Sequence, residues 1–338
     1  MTNEYEQRDG VFLRKAAVSD LQRLDGLILD IDGVILDVSS SFRVAISRST
    51  QFYFTQTLGW SGKAILISSA ETHFFKEAGG FNNDWELTYA AVLFFLAKSV
   101  KFNNQNLDFL KNRGKSVKEF TREIAVRDGG LDVAQQVLLS TLKPDQVQAI
   151  LQKWDKNKIK QIFQEIYGGV DYCRTLYGFE PEYIKEKGLI NEEKALLERA
   201  DLAAFGPKIG IITGRTKEEA AAALELAGIA DRVQHNAVFC DDGGPTKPDP
   251  AILLEMKAVL GLKVGIYIGD TIDDFRTVSN YHKLMQGDKK QTRFLSGLIV
   301  RREADRQKFL DLGADVVADE PREVLQALSQ LRKGGQDG

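Results

Sequence analysis

Two short acidic strings in this chain each stand directly behind a run of apolar residues. The first, Asp30-Ile31-Asp32-Gly33-Val34, follows Leu27-Ile28-Leu29. Successive side chains on a strand alternate faces, so Asp30 and Asp32 are expected on one side of a strand end and Ile31 on the other. Two carboxylates at one spot are costly unless a cation neutralises them. The second string, Gly269-Asp270-Thr271-Ile272-Asp273-Asp274, follows Ile266-Tyr267-Ile268. Three carboxylates within five residues at a strand end form the oxygen-ligand set that magnesium takes. The plainer alternatives are a capped turn for the first string and a helix N-cap at Asp270 or Asp273 for the second.

Two further strings supply chemistry that suits phosphate. Thr213-Gly214-Arg215 follows the apolar run Ile209-Gly210-Ile211-Ile212, and Lys247-Pro248-Asp249-Pro250 precedes a helical pattern. A hydroxyl beside backbone N–H groups at a helix start can hold phosphate oxygens, and a lysine adds a point charge. Taken singly, Thr-Gly is an ordinary turn and most lysines merely stay solvated.

The elements that must position these residues are legible as short apolar runs bounded by turn residues. They are Leu27 to Leu29, Ile209 to Ile212, Ala237 to Phe239, Val264 to Ile268, Leu298 to Val300 and Ala314 to Val317. Such runs suit buried parallel strands. From Ile209 onward helical patterns alternate with them, at Thr216 to Leu226 and at Pro250 to Leu260, where Pro250 is expected at the first helical position. The alternation predicts an α/β class with a doubly wound, Rossmann-like parallel sheet. In such sheets ligands sit beyond the carboxyl ends of the strands, where three of the four strings fall and the fourth can join them.

The stretch from Asp32 to Ile209 is far longer than a crossover, which needs only about a dozen residues. It carries helical spacing at Asn83 to Phe102, Lys143 to Trp154 and Asn191 to Ala204. A large helical cap, 39–200, is therefore expected inside a core made of 1–38 and 201–338. The end, Lys333 to Gly338, is expected to be a tail.

Composition bounds the function. The chain has 338 residues, 43% of them hydrophobic, and a formal net charge of -3. Scattered charge leaves no footprint for nucleic acid or an anionic membrane. Cys173 and Cys240 form no paired motif and are expected as core thiols, and His73, His235 and His282 show no metal-ligand spacing. The start of the chain lacks the pattern of a signal peptide, and the longest apolar stretch, Ala90 to Ala97, is too short to span a bilayer, so a cytoplasmic location is expected.

The ordered set D-x-D-G-V, T-G-R, K-P and G-D-x-x-D-D resembles the four motifs of the haloacid dehalogenase superfamily of phosphatases. A helical insert between the first and second motifs matches its C1-capped branch, within which the chain is similar to a little-characterised group. The resemblance covers about 20–38 and 205–320. It implies that Asp30 is the nucleophile forming an aspartyl-phosphate and Asp32 the general acid and base. It implies that Thr213, Gly214 and Lys247 hold the phosphoryl group. Asp270 and Asp274, with Asp30 and the main-chain carbonyl of Asp32, would hold Mg²⁺, the family's spacing favouring Asp274 over Asp273. The implied partner is a small phosphorylated metabolite. A phosphomutase or phosphotransferase would share the intermediate and differ in acceptor. A dehalogenase would not require Asp32, Asp270 and Asp274 together, and an inactive binding module would have no use for the full set.

In the insert, Gly79-Gly80-Phe81-Asn82-Asn83-Asp84-Trp85-Glu86-Leu87-Thr88 invites two readings. Asn83 with Glu86 three residues on is close to a capping box. As a polar loop over the substrate, Asn82, Asn83 and Asp84 would offer amides and a carboxylate, and Trp85 a stacking face.

Overall fold

The structure, a computed structural model, describes residues 4–81, 83–288 and 291–334. The chain divides into two compact units, Met1–Asp37 with Lys194–Gly338, and Val38–Glu193. The strands are β1 (Tyr5–Arg8), β2 (Val11–Arg14), β3 (Gly26–Leu29), β4 (Leu36–Asp37), β5 (Lys194–Ala195), β6 (Ile209–Ile212), β7 (Val238–Phe239), β8 (Val264–Gly269), β9 (Arg293–Ile299) and β10 (Val316–Ala318). The main sheet runs β1-β2-β10-β9-β8-β3-β6-β7. From β10 to β7 every neighbouring pair is parallel, as expected. The chain builds outward from β3 to β6 and β7, then returns to the other side for β8, β9 and β10. The order therefore reverses at β3, the switch point where open α/β sheets bind ligands.

The sheet is not wholly parallel. β1 and β2 form an antiparallel hairpin on its β10 edge. Its signal is Asp9-Gly10, a two-residue turn in which both residues have positive φ, 45° and 85°.

The expected helix Asn191 to Ala204 is a correction. Its first part is a short turn, Leu189–Glu192, and β5 then pairs antiparallel with β4, Leu36 facing Ala195 and Asp37 facing Lys194. Main-chain N–H groups of Leu196 and Leu197 donate to the Ile35 carbonyl. Leu197, Leu202 and Phe205 are buried anchors of a non-helical segment. The chain consequently re-enters the core at Lys194 rather than near Ala200. Three end assignments also shift. Pro250 precedes the helix Ala251–Leu260, the helix at Lys143 spans Pro144–Leu151, and a C-terminal helix carries on through Lys333 to Gly334.

The second unit is helical. Its central helix, Asp84–Phe102, is buried on nearly every side, as an all-apolar face pattern requires. Around it lie Phe42–Phe52, Val117–Ala125, Gly130–Leu139 and Lys156–Tyr177. The last is broken at Gly169 (φ 59°), where the backbone of Gly188 passes so close that a Cβ would overlap it. Among the described residues no helix is long and apolar enough to cross a membrane.

Candidate active site

Three adjacent strands deliver the chemistry. Asp30 stands one residue past β3, Thr213 one past β6 and Asp270 one past β8. Pairing of Leu29 with Ile211 and Ile268 brings those three strand ends level. Asp30 is almost fully buried; its N–H donates to the Ile268 carbonyl at 2.9 Å and its Oδ1 accepts from the Ile31 N–H at 2.7 Å.

Lys247 ties the strands together. Its ammonium donates to Asp30 Oδ2 and to Asp274 Oδ1, both at 2.8 Å. Burial by itself would lower this ammonium's pKa, but the charges of Asp274 and Asp30 outweigh it and hold the group well above its ordinary value. For Asp30 the balance falls the other way. Burial first, and then the charges of Asp274, Asp32 and Asp270, push it up to about 8 despite Lys247. The site is thus short of positive charge. One oxygen from each of Asp30, Asp270 and Asp274 lies within 4.8 Å of the others. An all-carboxylate set at this spacing, with the Asp30 charge still opposed by its neighbours, fits a hard divalent cation.

Asp274 has a second task. Its Oδ2 accepts from the N–H groups of Asp270 and Thr271 and from the Thr271 hydroxyl, while its Oδ1 accepts from Lys247 and, at 2.6 Å, from the Tyr267 hydroxyl. Burial pushes its pKa up, but Lys247 and these donors prevail and hold it below the usual carboxylate range. The helix N-cap is therefore Thr271, in a capping box with Asp274, and not Asp270 or Asp273. Asp273 lies outside the carboxylate group and approaches Arg276.

Gly33 shows why glycine follows the two aspartates. At φ 77° a Cβ there would overlap the Asp270 carboxylate, so only glycine lets the β3 loop lie against it. The Asp32 side chain stands apart from the Asp30, Asp270 and Asp274 group and pairs with Arg215. Thr213 is buried and its hydroxyl accepts from the Arg215 N–H at 3.2 Å, leaving its proton to be donated; Gly214 lies between them. Sequence reasoning missed Tyr267 and gave Arg215 no role. The available signals were a tyrosine inside a buried strand, where a hydroxyl needs a partner, and an arginine directly behind Thr213.

The comparisons agree with this geometry. A family model of haloacid dehalogenase-like hydrolases matches residues 189–282, which include Thr213, Lys247, Asp270 and Asp274. Residues 189–282 are thus similar to haloacid dehalogenase-like hydrolases. Asp30 and Asp32 lie outside the matched residues, and pairing of β3 with β6 and β8 brings Asp30 to the matched ones. Phosphatase Tt82 from Thermococcus thioreducens aligns over 90% of this chain and 98% of its own, with a TM-score of 0.54 at 20% identity. A solved structural-genomics target aligns over 92% of this chain and 100% of its own, with a TM-score of 0.51 at 14% identity. Both show the fold. An imidazoleglycerol-phosphate dehydratase from Phytophthora nicotianae is 26% identical over 255 residues, which are 74% of this chain and 40% of that protein. The chain thus spans less than half the length of this curated relative.

The cap residues singled out in the sequence keep company within their own unit. Asn82 lies outside the described residues. Asn83 caps Asp84–Phe102, its side chain accepting from the Glu86 N–H at 2.9 Å. Asp84 is buried with Lys76 Nζ at 2.8 Å, an ion pair by proximity rather than a directed hydrogen bond. Trp85 meets Phe163 edge-on, and Lys160 Nζ sits 4.5 Å from its ring centre. Burial pushes both Cys173 and Cys240 up to about 12, in keeping with inert thiols.

Proposed function

We propose that the chain is a magnesium-dependent phosphomonoesterase that attacks a small phosphorylated metabolite with Asp30. The observation that carries this reading is the meeting of Asp30, Asp270, Asp274 and the Lys247 ammonium at the carboxyl ends of neighbouring central strands. Asp30, Asp270, Asp274 and the main-chain carbonyl of Asp32 would hold Mg²⁺. Bound there, it supplies positive charge to the transferring phosphoryl oxygens.

The chain's own groups do the rest. Asp30 attacks phosphorus in line and becomes an aspartyl-phosphate. Asp32 gives a proton to the departing oxygen, then takes one from the water that hydrolyses the acyl-phosphate. Lys247, the Thr213 hydroxyl and the Gly214 N–H bind the phosphoryl oxygens, and Asp274 with Tyr267 keeps the lysine in place. For the cap we propose Asn82, Asn83, Asp84 and Trp85 as contributors to substrate choice. If Asn82 and Asp84 substitutions change neither KM nor substrate ranking in a folded protein, that part fails.

One comparison favours a substrate class. The dehydratase relative is named for a substrate that joins an imidazole to an alkyl phosphate, and dehydration leaves a phosphate where it is. Similarity to such a protein, together with the carboxylate and lysine site, fits removal of phosphate from an imidazole-bearing alkyl phosphate. A phosphate-release screen over these compounds, sugar phosphates, phosphoglycolate, nucleotides and amino-alcohol phosphates, with and without Mg²⁺, tests both levels. Release without a second acceptor separates hydrolysis from phosphoryl transfer between sugars. No release from any compound in the presence of Mg²⁺ would contradict the proposal.

A further inference from the structure

Arg215 is the largest fully buried side chain of the described residues, with 1% of its side-chain surface exposed. Burying a guanidinium costs several kcal/mol, on the order of the penalty for any ion, unless acceptors are built around it. Here a principal acceptor is the Asp32 carboxylate. Arg215 Nε donates to Asp32 Oδ1 at 2.8 Å, and Nη2 stands at 2.8 Å from the same oxygen. The arginine's main chain is fixed as well. Its N–H donates to the Thr213 hydroxyl oxygen, and its carbonyl accepts from the Asp241 N–H at 3.1 Å. Arg215 therefore spans the distance between the hydroxyl proposed to bind phosphate and the carboxyl proposed to move the proton.

We propose that Arg215 is a positioning residue that fixes the Asp32 carboxylate for proton transfer. The inference rests on the reading of Asp32 as general acid and base. Asp32 itself is on a loop behind β3 and its side chain is 24% exposed, so packing alone does not select its rotamer. Two donors converging on Oδ1 do select it. They also divide the labour of the two oxygens. A proton on Oδ1 would point into N–H donors, so proton exchange with the leaving group and with water is left to Oδ2. A guanidinium presents its N–H groups in a planar fork, whereas a lysine at the same place would bring one mobile point charge. The arrangement lies wholly within the core unit. The acid and base is consequently set by the same β6 loop that sets the phosphate-binding hydroxyl.

The test is a double-mutant cycle in the full chain with Mg²⁺, using Arg215→Met, Arg215→Lys, Asp32→Asn and the Met/Asn double variant on one alkyl and one aryl phosphate. Arg215→Met is expected to lower kcat for the alkyl phosphate at least about tenfold, because part of general-acid assistance is lost. The aryl phosphate, whose leaving group needs less protonation, should lose less. KM should stay within about twofold, since the binding of substrate and transition state is changed only at the proton-transfer step. Arg215→Lys should fall between, and Arg215→Met should cost nothing further in the Asp32→Asn background. Equal losses for both leaving groups, or a full additional loss in the Asp32→Asn background, would overturn the inference. Should Arg215→Met fail to fold by circular dichroism, Arg215→Lys and Arg215→Gln carry the same comparisons. A wild-type chain without phosphatase activity overturns the phosphomonoesterase reading and this inference with it, whereas an active chain with additive losses overturns only the inference.

Discussion

Replacing Tyr267 by phenylalanine removes one oxygen from the heart of the site and nothing else. The hydroxyl donates to Asp274 Oδ1 at 2.6 Å, both residues are fully buried, and Asp274 keeps Lys247 on that oxygen and three donors on the other. No donor is orphaned, and the ring that fills the core remains. The loss is therefore one hydrogen bond to a charged group, about 1.5–3 kcal/mol. At roughly 2–4 °C per kcal/mol for a unit of this size, the melting temperature should drop by about 3–12 °C. Differential scanning calorimetry in excess Mg²⁺ reads the drop, and phosphate release on the same samples should fall too, because Lys247 loses a fixed partner. A melting temperature within about 1 °C of wild type would refute the reasoning, since it would mean that Asp274 is not the buried anion on which the lysine is mounted.

Gly33→Ala should abolish Mg²⁺-dependent activity because its Cβ overlaps the Asp270 carboxylate at a positive φ, whereas Gly206→Ala, with open space around it, should leave turnover unchanged; equal kinetics for both would contradict this. Asp30 is raised from 3.8 to about 8, so between those values the folded chain holds a proton the unfolded chain has lost. In chelator, stability against urea should then fall as pH rises from 5.5 to 7.5, by at most about 1.4 kcal/mol per pH unit, and Mg²⁺ or Asp30→Asn should flatten the slope. A chelator-treated chain that gains stability over that range counts against the balance of charges described. In the cap, burial and then Lys111 push Lys98 down to about 8, and its ammonium lies over Phe94 and Phe95 with the Lys115 carbonyl as acceptor. Because its folded value is depressed from 10.5, stability from this group rises between about pH 8 and 10.5. Lys98→Met should thus stabilise the cap by about 1–2 kcal/mol below pH 8, with the gain shrinking toward pH 10.5; a loss of stability at pH 7 would show that the rings over the ammonium outweigh its desolvation.

The parallel core was legible because buried strands in such a sheet are continuous apolar runs, and three of these ran directly into a motif. What sequence missed has physical causes. In the hairpin β1–β2, the edge strand Tyr5–Arg8 has a single apolar residue and the apolar run of its partner, Val11-Phe12-Leu13, is short, so Asp9-Gly10 was the clearest signal. Asn191 to Ala204 imitated a helix because it is rich in strong helix formers, Glu, Lys, Ala, Leu and Arg, while its buried Leu197 and Leu202 anchor a non-helical segment. Lys247, Asp270 and Asp274 could be singled out by type and order, but the pairing of Lys247 with two carboxylates from different strands depends on strand register, which no local pattern encodes. Tyr267 was hidden for a related reason, since a tyrosine within an apolar run passes for a core residue until its hydroxyl is seen to meet Asp274.

The central claim is that Asp30 carries the phosphoryl group. Its most direct test is acid quenching during turnover of a ³²P-labelled substrate found in the screen, followed by mass spectrometry of the labelled peptide. The account predicts a Mg²⁺-dependent, hydroxylamine-sensitive label on Asp30 that is absent, together with phosphate release, from Asp30→Asn. Turnover with no label on the protein, persisting in Asp30→Asn, would contradict it.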